Sequence, residues 1–209
     1  MRIVFLGLPG AGKGTQAAVF AQRFSLPFVG VGDILRAKSK AQDDLGQMIR
    51  GRLLSGDLFE DTLIVDTLFD HIQDMDGFVL EGAPRTLSQR RLIDERMAAA
   101  SLSFNAIFLL ELSAEAAMDR LLRRMVCASC GTVLAPANQG RGECTKCGET
   151  VFERRADDQD AVIQRRLEVQ KKELDPLVAS YEGQNNFYRI DAAQDFESVT
   201  QNILDCLGG

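Results

Sequence analysis

An α/β fold built on a parallel sheet is what this 209-residue sequence predicts, and three observations carry the prediction. Short β-type runs at 3–6, 27–29, 78–80, 106–110 and 187–190 alternate with helix-like stretches. The first run has almost no polar alternation, as a central strand covered on both faces requires. It leads straight into Gly7-Leu8-Pro9-Gly10-Ala11-Gly12-Lys13-Gly14-Thr15, a glycine-rich turn between a strand and a helix.

Along the chain, Asp33 is read as the cap that opens one helix, and Ser113 opens another that runs through Arg124. Asp158 opens a long helix ending near Pro176. Between Met125 and Glu153 aliphatic periodicity disappears while Gly, Cys, Pro and Asn accumulate, which marks an insertion. No internal repeat or low-complexity tract interrupts the pattern. The single histidine, His71, falls in an amphipathic helix and reads as structural, which argues against triad or His-metal chemistry.

Composition narrows the function. With 45% hydrophobic and 26% charged residues the chain can bury a substantial core, and its length fits one to two domains at ~150 residues each. Its 24 Lys plus Arg against 30 Asp plus Glu leave a net charge of -6, wrong for a protein held to nucleic acid or anionic lipid by general electrostatics. Anionic ligands must be gripped locally. No apolar run approaches the ~18 residues of a membrane helix, and the start does not read as a signal peptide, so the expected location is cytoplasmic.

The turn Gly7-x4-Gly12-Lys13 supplies what a polyphosphate needs. Glycines let successive N–H groups face one concavity, the next helix offers its positive end, and Lys13 adds a mobile cation. The general pattern places a hydroxyl directly after the lysine; here Gly14 intervenes and the hydroxyl arrives at Thr15.

Cys127-Ala-Ser-Cys130-Gly131 and Cys144-Thr-Lys-Cys147-Gly148 are matched knuckles separated by 13 residues. Four thiolates close a tetrahedral zinc site with no open position, so the metal is expected to be structural. Metal-binding free energy of ~10 kcal/mol or more can fold an insertion too small for its own core. A redox dithiol would need only one pair. A nucleic-acid ribbon would want a basic face, whereas this insertion carries Arg141 and Lys146 against Glu143, Glu149 and Glu153. Cys206 has no partner motif and reads as a small apolar residue.

Several arginines stand in unusual places. If Asp33 is the cap, Arg36 lies in a first turn, where the macrodipole disfavours a cation unless an anionic ligand or Asp33 itself balances it. Arg120 and Arg124, four apart, place like charges on one helix face and suit a polyphosphate. Arg155 and Arg166 project to one side if their helix begins early, while Arg123, Arg154 and Arg165 read as solvated. The run 77–85 ends a buried strand in Glu81 and turns to Arg85; a carboxylate there, beside a phosphate loop, suits Mg2+ or its waters.

Gly7-Leu-Pro-Gly-Ala-Gly-Lys-Gly-Thr15-Gln16, Gly32-Asp33-Ile-Leu-Arg36, Glu81-Gly-Ala-Pro-Arg85-Thr86, the four-cysteine insertion and Arg154-Arg155-Ala-Asp157-Asp158 together closely resemble the adenylate kinases, of the long bacterial type with a zinc lid. The resemblance covers essentially the whole chain. It implies a P-loop NTPase-like core with a parallel five-stranded sheet over 1–29, 60–122 and 159–209. A helical NMP-binding subdomain would occupy 30–59 and a zinc-ribbon lid 123–158. It implies reversible transfer from MgATP to AMP giving two ADP, by a monomer.

By the same resemblance, ATP lies on Gly10, Ala11, Gly12, Lys13, Gly14 and Thr15, with Arg120, Arg124, Val133, Leu134 and Gln194 around its base and phosphates. AMP meets Val31, Arg36, Asp57, Leu58, Phe59, Gly82, Ala83, Pro84, Arg85 and Gln89, and Arg155 and Arg166 bridge from the lid. Three positions depart from the family: it commonly has Thr at 31, Asp-Gly-Phe-Pro-Arg at 81–85 and an aromatic at 134. Val31 offers no hydroxyl, Ala83 removes a large apolar group, and Glu81 carries its charge on a longer arm. Gln89 is kept, and its amide can read an adenine edge. The alternatives are a kinase of another nucleoside monophosphate and a non-catalytic nucleotide sensor.

Overall fold

The computed structural model describes residues 1–134, 142–144 and 146–208. In chain order the elements are β1 (Arg2–Leu6), α1 (Lys13–Arg23), β2 (Phe28–Gly30), α2 (Val31–Lys38), α3 (Asp44–Ser55), α4 (Asp61–Ile72), β3 (Phe78–Glu81), α5 (Leu87–Ala99), β4 (Ala106–Glu111), α6 (Ala114–Leu122), β5 (Val126–Cys127), β6 (Phe152–Glu153), α7 (Asp160–Ala179), β7 (Phe187–Asp191) and α8 (Phe196–Cys206). The five expected strands are present, each end within one residue of the sequence reading.

They form one parallel sheet in the order β2-β3-β1-β4-β7, while β5 and β6 pair antiparallel on their own. From β1 the chain goes to the edge strand β2, returns to β3 between β2 and β1, and then crosses β1 to β4 and on to β7 at the other edge. The crevice at the carboxyl ends of β1 and β3 lies beside that reversal, the usual ligand position in such sheets.

Alternation along each strand explains why the runs are apolar throughout. Val4 and Leu6 join Val29, Leu80, Ile107 and Leu109 beneath α4, α5 and α7, whereas Ile3 and Phe5 join Val79, Phe108 and Leu110 against α1 and α8. Each such side chain contributes roughly 1.5–3 kcal/mol by burial. A third cluster, Leu8, Ala117, Leu121, Ile163 and Leu167, fixes α6 on α7 beside the phosphate loop. No helix among the described residues is long and apolar enough to cross a membrane.

Helix ends are where the structure departs from the sequence reading. Asp33 is not a cap: α2 begins at Val31 directly from Gly30. A Cβ at residue 30 would meet the Asp33 carboxylate at 2.8 Å and the Phe28 ring at 3.1 Å, side chains that a larger residue would have to displace. Arg36 consequently sits in the last turn, where the macrodipole favours a cation, and it pairs with Asp33.

Ser113 caps α6 as expected, accepting from the Ala116 N–H at 3.2 Å, but the helix stops at Leu122. Arg124 lies past that end and does not share a helix face with Arg120. Asp158 does not open α7; Gln159 is the residue before it, and Asp158 is buried as a counter-ion. Pro176 lies inside α7, because Leu177, Val178 and Tyr181 pack into the core and hold the turn that follows it. Arg141 lies outside the described residues.

Candidate active site

The phosphate loop joins β1 to α1 as the glycine spacing requires. Gly12 caps α1 at φ 89°, a left-handed conformation, and nothing lies within 4 Å of the place its Cβ would take. The first bond of the helix is Gln16 N–H to the Gly12 carbonyl at 3.0 Å. The amides of Lys13, Gly14 and Thr15 therefore precede the intrahelical ladder and are available to an anion.

Lys13 folds back over this loop, donating to the Leu8 carbonyl at 2.8 Å, with Glu81 at 3.7 Å. Burial lowers its pKa to about 8, with Glu81 opposing the fall and Arg85, Arg166 and Arg124 adding to it. Glu81 ends β3 in register with Phe5 of β1, so the pairing of two central strands sets the carboxylate beside the lysine.

Arg85 follows on the turn after β3, its Nε on the Gly82 carbonyl at 2.8 Å and its N–H on the Gln89 Oε1 at 2.7 Å. Burial again depresses its pKa, against Glu81 and alongside Arg36 and Arg155. Lys13, Arg85, Gly7, Gly82 and Pro84 line one cavity, closed from α7 by Gln170 and Leu174. Nothing in the sequence reading marked Gln170 or Leu174, since only the packing of α7 brings them here.

Two adjacent carboxylates hold the remaining arginines. Arg124 forms a two-point pair with Asp158, at 2.7 and 2.5 Å, and Arg166 reaches both Asp157 and Asp158 at 3.3 Å. Arg155 pairs with Asp157 at 2.9 Å. Burial opposes ionisation of Asp157, but Arg155 and Arg166 overcome it and hold the carboxyl below its ordinary value. Burial pushes Arg166 down to about 10, with Asp157 supporting its charge against Arg124, Arg155 and Arg85. Arg155 and Arg166 thus converge as expected, through shared acids and not through an early helix start.

Arg123, Arg154 and Arg165 are exposed as the sequence suggested, though Arg123 also pairs with Asp119 and Arg165 with Asp57 at 3.0 Å. That last contact, with Gly56 packed so closely that a Cβ would lie 2.9 Å from Arg166 Cγ, sets the loop of Asp57, Leu58 and Phe59 against the start of α7. Val31 and Ala83 are both buried, and Val31 lies near Gly82.

Gln89 is 1% exposed, and although its Oε1 is engaged, its Nε2 has no partner among the described residues. A buried donor left unpaired costs about 1–3 kcal/mol, which a ligand acceptor would recover. Arg120 stands apart from the cation cluster and donates to the Ala192 carbonyl at 2.8 Å. Gln194 is exposed on the same loop, and Val133 and Leu134 lie on the insertion, bridged to Val126 and bonded to the Met125 carbonyl at 2.9 Å.

In that insertion the four cysteine sulfurs lie within 4.8 Å of one another, with Cys127 to Cys147 at 3.5 Å and Cys130 to Cys144 at 3.6 Å. A tetrahedral zinc with sulfurs at about 2.3 Å needs sulfur–sulfur edges of ~3.8 Å, so the donor set fits the ion. Each knuckle closes on its glycine, Gly131 N–H to the Cys127 carbonyl at 2.9 Å and Gly148 N–H to the Cys144 carbonyl at 2.8 Å. Cys206 stays apart, packed at the end of α8, its thiol pushed up by burial.

The model of the family "Adenylate kinase" matches residues 5–186 of this chain. The chain belongs to the adenylate kinase family. Similar relatives include the adenylate kinase of Allorhizobium ampelinum, 34% identical with 100% of both chains covered. The adenylate kinase of Petrotoga mobilis is likewise 34% identical, covering 99% of this chain and 97% of the relative. That of Clostridium acetobutylicum is 34% identical over 100% and 99%. As an adenylate kinase family member the chain is a nucleoside monophosphate kinase with a nucleotide-binding α/β core, and its cluster of four cysteines suits the lid of the long type.

Proposed function

We propose that this kinase transfers a phosphoryl group reversibly from MgATP to AMP, giving two ADP. The observation that carries the reading is the convergence of Lys13, Arg85, Arg124, Arg155 and Arg166 at the phosphate loop, beside a Gln89 amide with a free buried donor. The acceptor phosphate is already anionic, so no general base is required and catalysis is positioning plus charge stabilisation.

Lys13, Arg124 and the amides of 10–15 grip the donor phosphates, and Arg120, Val133, Leu134 and Gln194 surround its base. Arg36 and Arg85 grip the acceptor, whose nucleoside lies along Val31, 57–59, 82–84 and Gln89. Arg155 and Arg166 neutralise the phosphoryl in flight. Bound with ATP, Mg2+ would screen the phosphate charge, and Glu81 would hold its waters. Gln89 Nε2 meets a ring nitrogen of the adenine. The lid, 123–158, and the NMP-binding segment, 30–59, move as units against the core of 1–29, 60–122 and 159–209, excluding water from the reacting phosphate. Cys127, Cys130, Cys144 and Cys147 hold a structural zinc. The chain works as a monomer in the cytoplasm, where reduced thiolates favour metal over disulfides.

Chromatographic product analysis tests the reading, with wild type and Lys13→Ala each given MgATP and AMP, dAMP, CMP, UMP or GMP. Rapid ADP formation with AMP is expected. Turnover confined to another acceptor would move the function to that nucleotide, and binding with no turnover would make the chain a sensor.

The buried lysine adds a pH signature. Because Lys13 is a cation only below about pH 8 in the free enzyme, kcat/KM for ATP is expected to stay level up to that pH and then fall, approaching tenfold per unit. A profile still level at pH 9.5 would remove Lys13 from the donor grip.

A further inference from the structure

Gln16 closes the phosphate-loop motif in the sequence, yet none of the roles above uses it. It is 3% exposed, and both ends of its carboxamide are engaged with α8, the C-terminal helix. Nε2 donates to the Phe196 carbonyl at 3.2 Å, and Oε1 accepts from Thr200 Oγ1 at 2.9 Å. One buried amide thus joins the first turn of the helix beneath the donor phosphates to the first turns of a helix 180 residues later.

What α8 carries gives that joint a purpose. The loop 191–195 runs into its cap, Asp195, which accepts from Ser198 N–H at 2.8 Å. Within the loop, Gln194 is held at both ends of its amide. Its Nε2 donates to Asp191 Oδ2 at 3.3 Å, and its Oε1 accepts from Asn202 Nδ2, further along α8, at 3.1 Å. Arg120 is tied to the same loop through the Ala192 carbonyl, and the Ala192 N–H is tied to β4 through the Glu111 carbonyl at 2.9 Å. Two of the four groups assigned to the donor base, Arg120 and Gln194, therefore converge on a loop held by β4 and by α8, and Gln16 links α8 to α1.

We propose that Gln16 is a positioning residue for the donor: its amide fixes the base-reading loop relative to the phosphate cradle, so that one nucleoside triphosphate spans both. The inference rests on the assignment of Arg120 and Gln194 to the donor base. Losing the amide leaves Lys13 and the loop N–H groups in place but lets the base-reading groups drift, and misplacement of such groups weakens selectivity more than grip. An apolar replacement removes both partners' contacts at once, and Thr200 keeps the Phe196 carbonyl, 2.8 Å away, as an alternative acceptor.

Calorimetric binding of ATP, GTP and inorganic tripolyphosphate, with KM for AMP measured alongside, separates the possibilities in wild type, Gln16→Leu, Thr200→Val and Thr200→Ser. Wild type is expected to prefer ATP over GTP. That preference should fall about tenfold in Gln16→Leu and about threefold in Thr200→Val, while Thr200→Ser, which keeps the hydroxyl, retains it. Tripolyphosphate affinity and the KM for AMP should stay within about twofold throughout. An unchanged preference in the folded variants overturns the proposal. So does a parallel loss for ATP, GTP, tripolyphosphate and AMP, which marks a purely structural amide. If wild type binds ATP and GTP alike, the donor-base assignment fails first and the proposal falls with it; failure to phosphorylate AMP leaves these binding ratios readable.

Discussion

Arg85→Ala is expected to lose about a thousandfold in kcat/KM for AMP, mostly in kcat, with the fold and its melting midpoint essentially intact. The side chain commits its Nε to the Gly82 carbonyl, which aims the rest of the guanidinium into the cavity shared with Lys13. Burial disfavours its charge, and Glu81 and Asp157 support that charge against Arg36 and Arg155. Electrostatic contacts made in a partly buried site are worth several times their value in water. Arg85→Lys should recover little, because a point charge cannot both bond Gly82 and bracket a phosphate. Near wild-type turnover by Arg85→Ala in a steady-state assay would remove this residue from the acceptor grip.

Stripping the metal from the lid is expected to lower the melting midpoint by about 5–10 °C, from a loss of roughly 2–3 kcal/mol transmitted to the rest of the chain. The strand pair β5 and β6 is only two residues long on each side, so the cysteine cluster supplies most of the order there. Turnover should fall less than stability does, since no cysteine touches the cation cluster. Calorimetry after chelation, with elemental analysis to establish that zinc was present and has left, reads both arms. Unchanged melting in the metal-free protein, or intact stability of Cys147→Ser, would count against a structural ion.

The core was legible because its signal is local. Ile3, Val4, Phe5 and Leu6 are apolar without alternation, and that alone places β1 between two layers. Gly12 and Lys13 likewise announce a phosphate cradle through spacing, and the two Cys-x-x-Cys turns announce a metal through chemistry. What failed were inferences in which a short polar side chain had more than one use. Asp33 looks like a cap, but the chain passes from β2 straight into a helix that has already begun at Val31. Asp158 looks like a cap too, yet it is buried among Arg124 and Arg166, partners that a sequence cannot place. Gln170 gave no signal whatever; it is one polar residue on a long helix until packing turns it toward Lys13.

The acidic pair Asp157 and Asp158 has a kinetic meaning. Asp157 and Asp158 pair with the arginines proposed to hold the nucleotide phosphates, so on that assignment binding exchanges one anion for another and does not fill a bare positive site. On the same proposal product departure is the reverse exchange, with the internal carboxylates recapturing Arg124, Arg155 and Arg166 as the phosphates leave. A kinase built on the proposed assignment would avoid holding a charged nucleotide as an inhibitor, and its turnover would be tied to motion of the proposed lid and not to breaking a deep electrostatic trap.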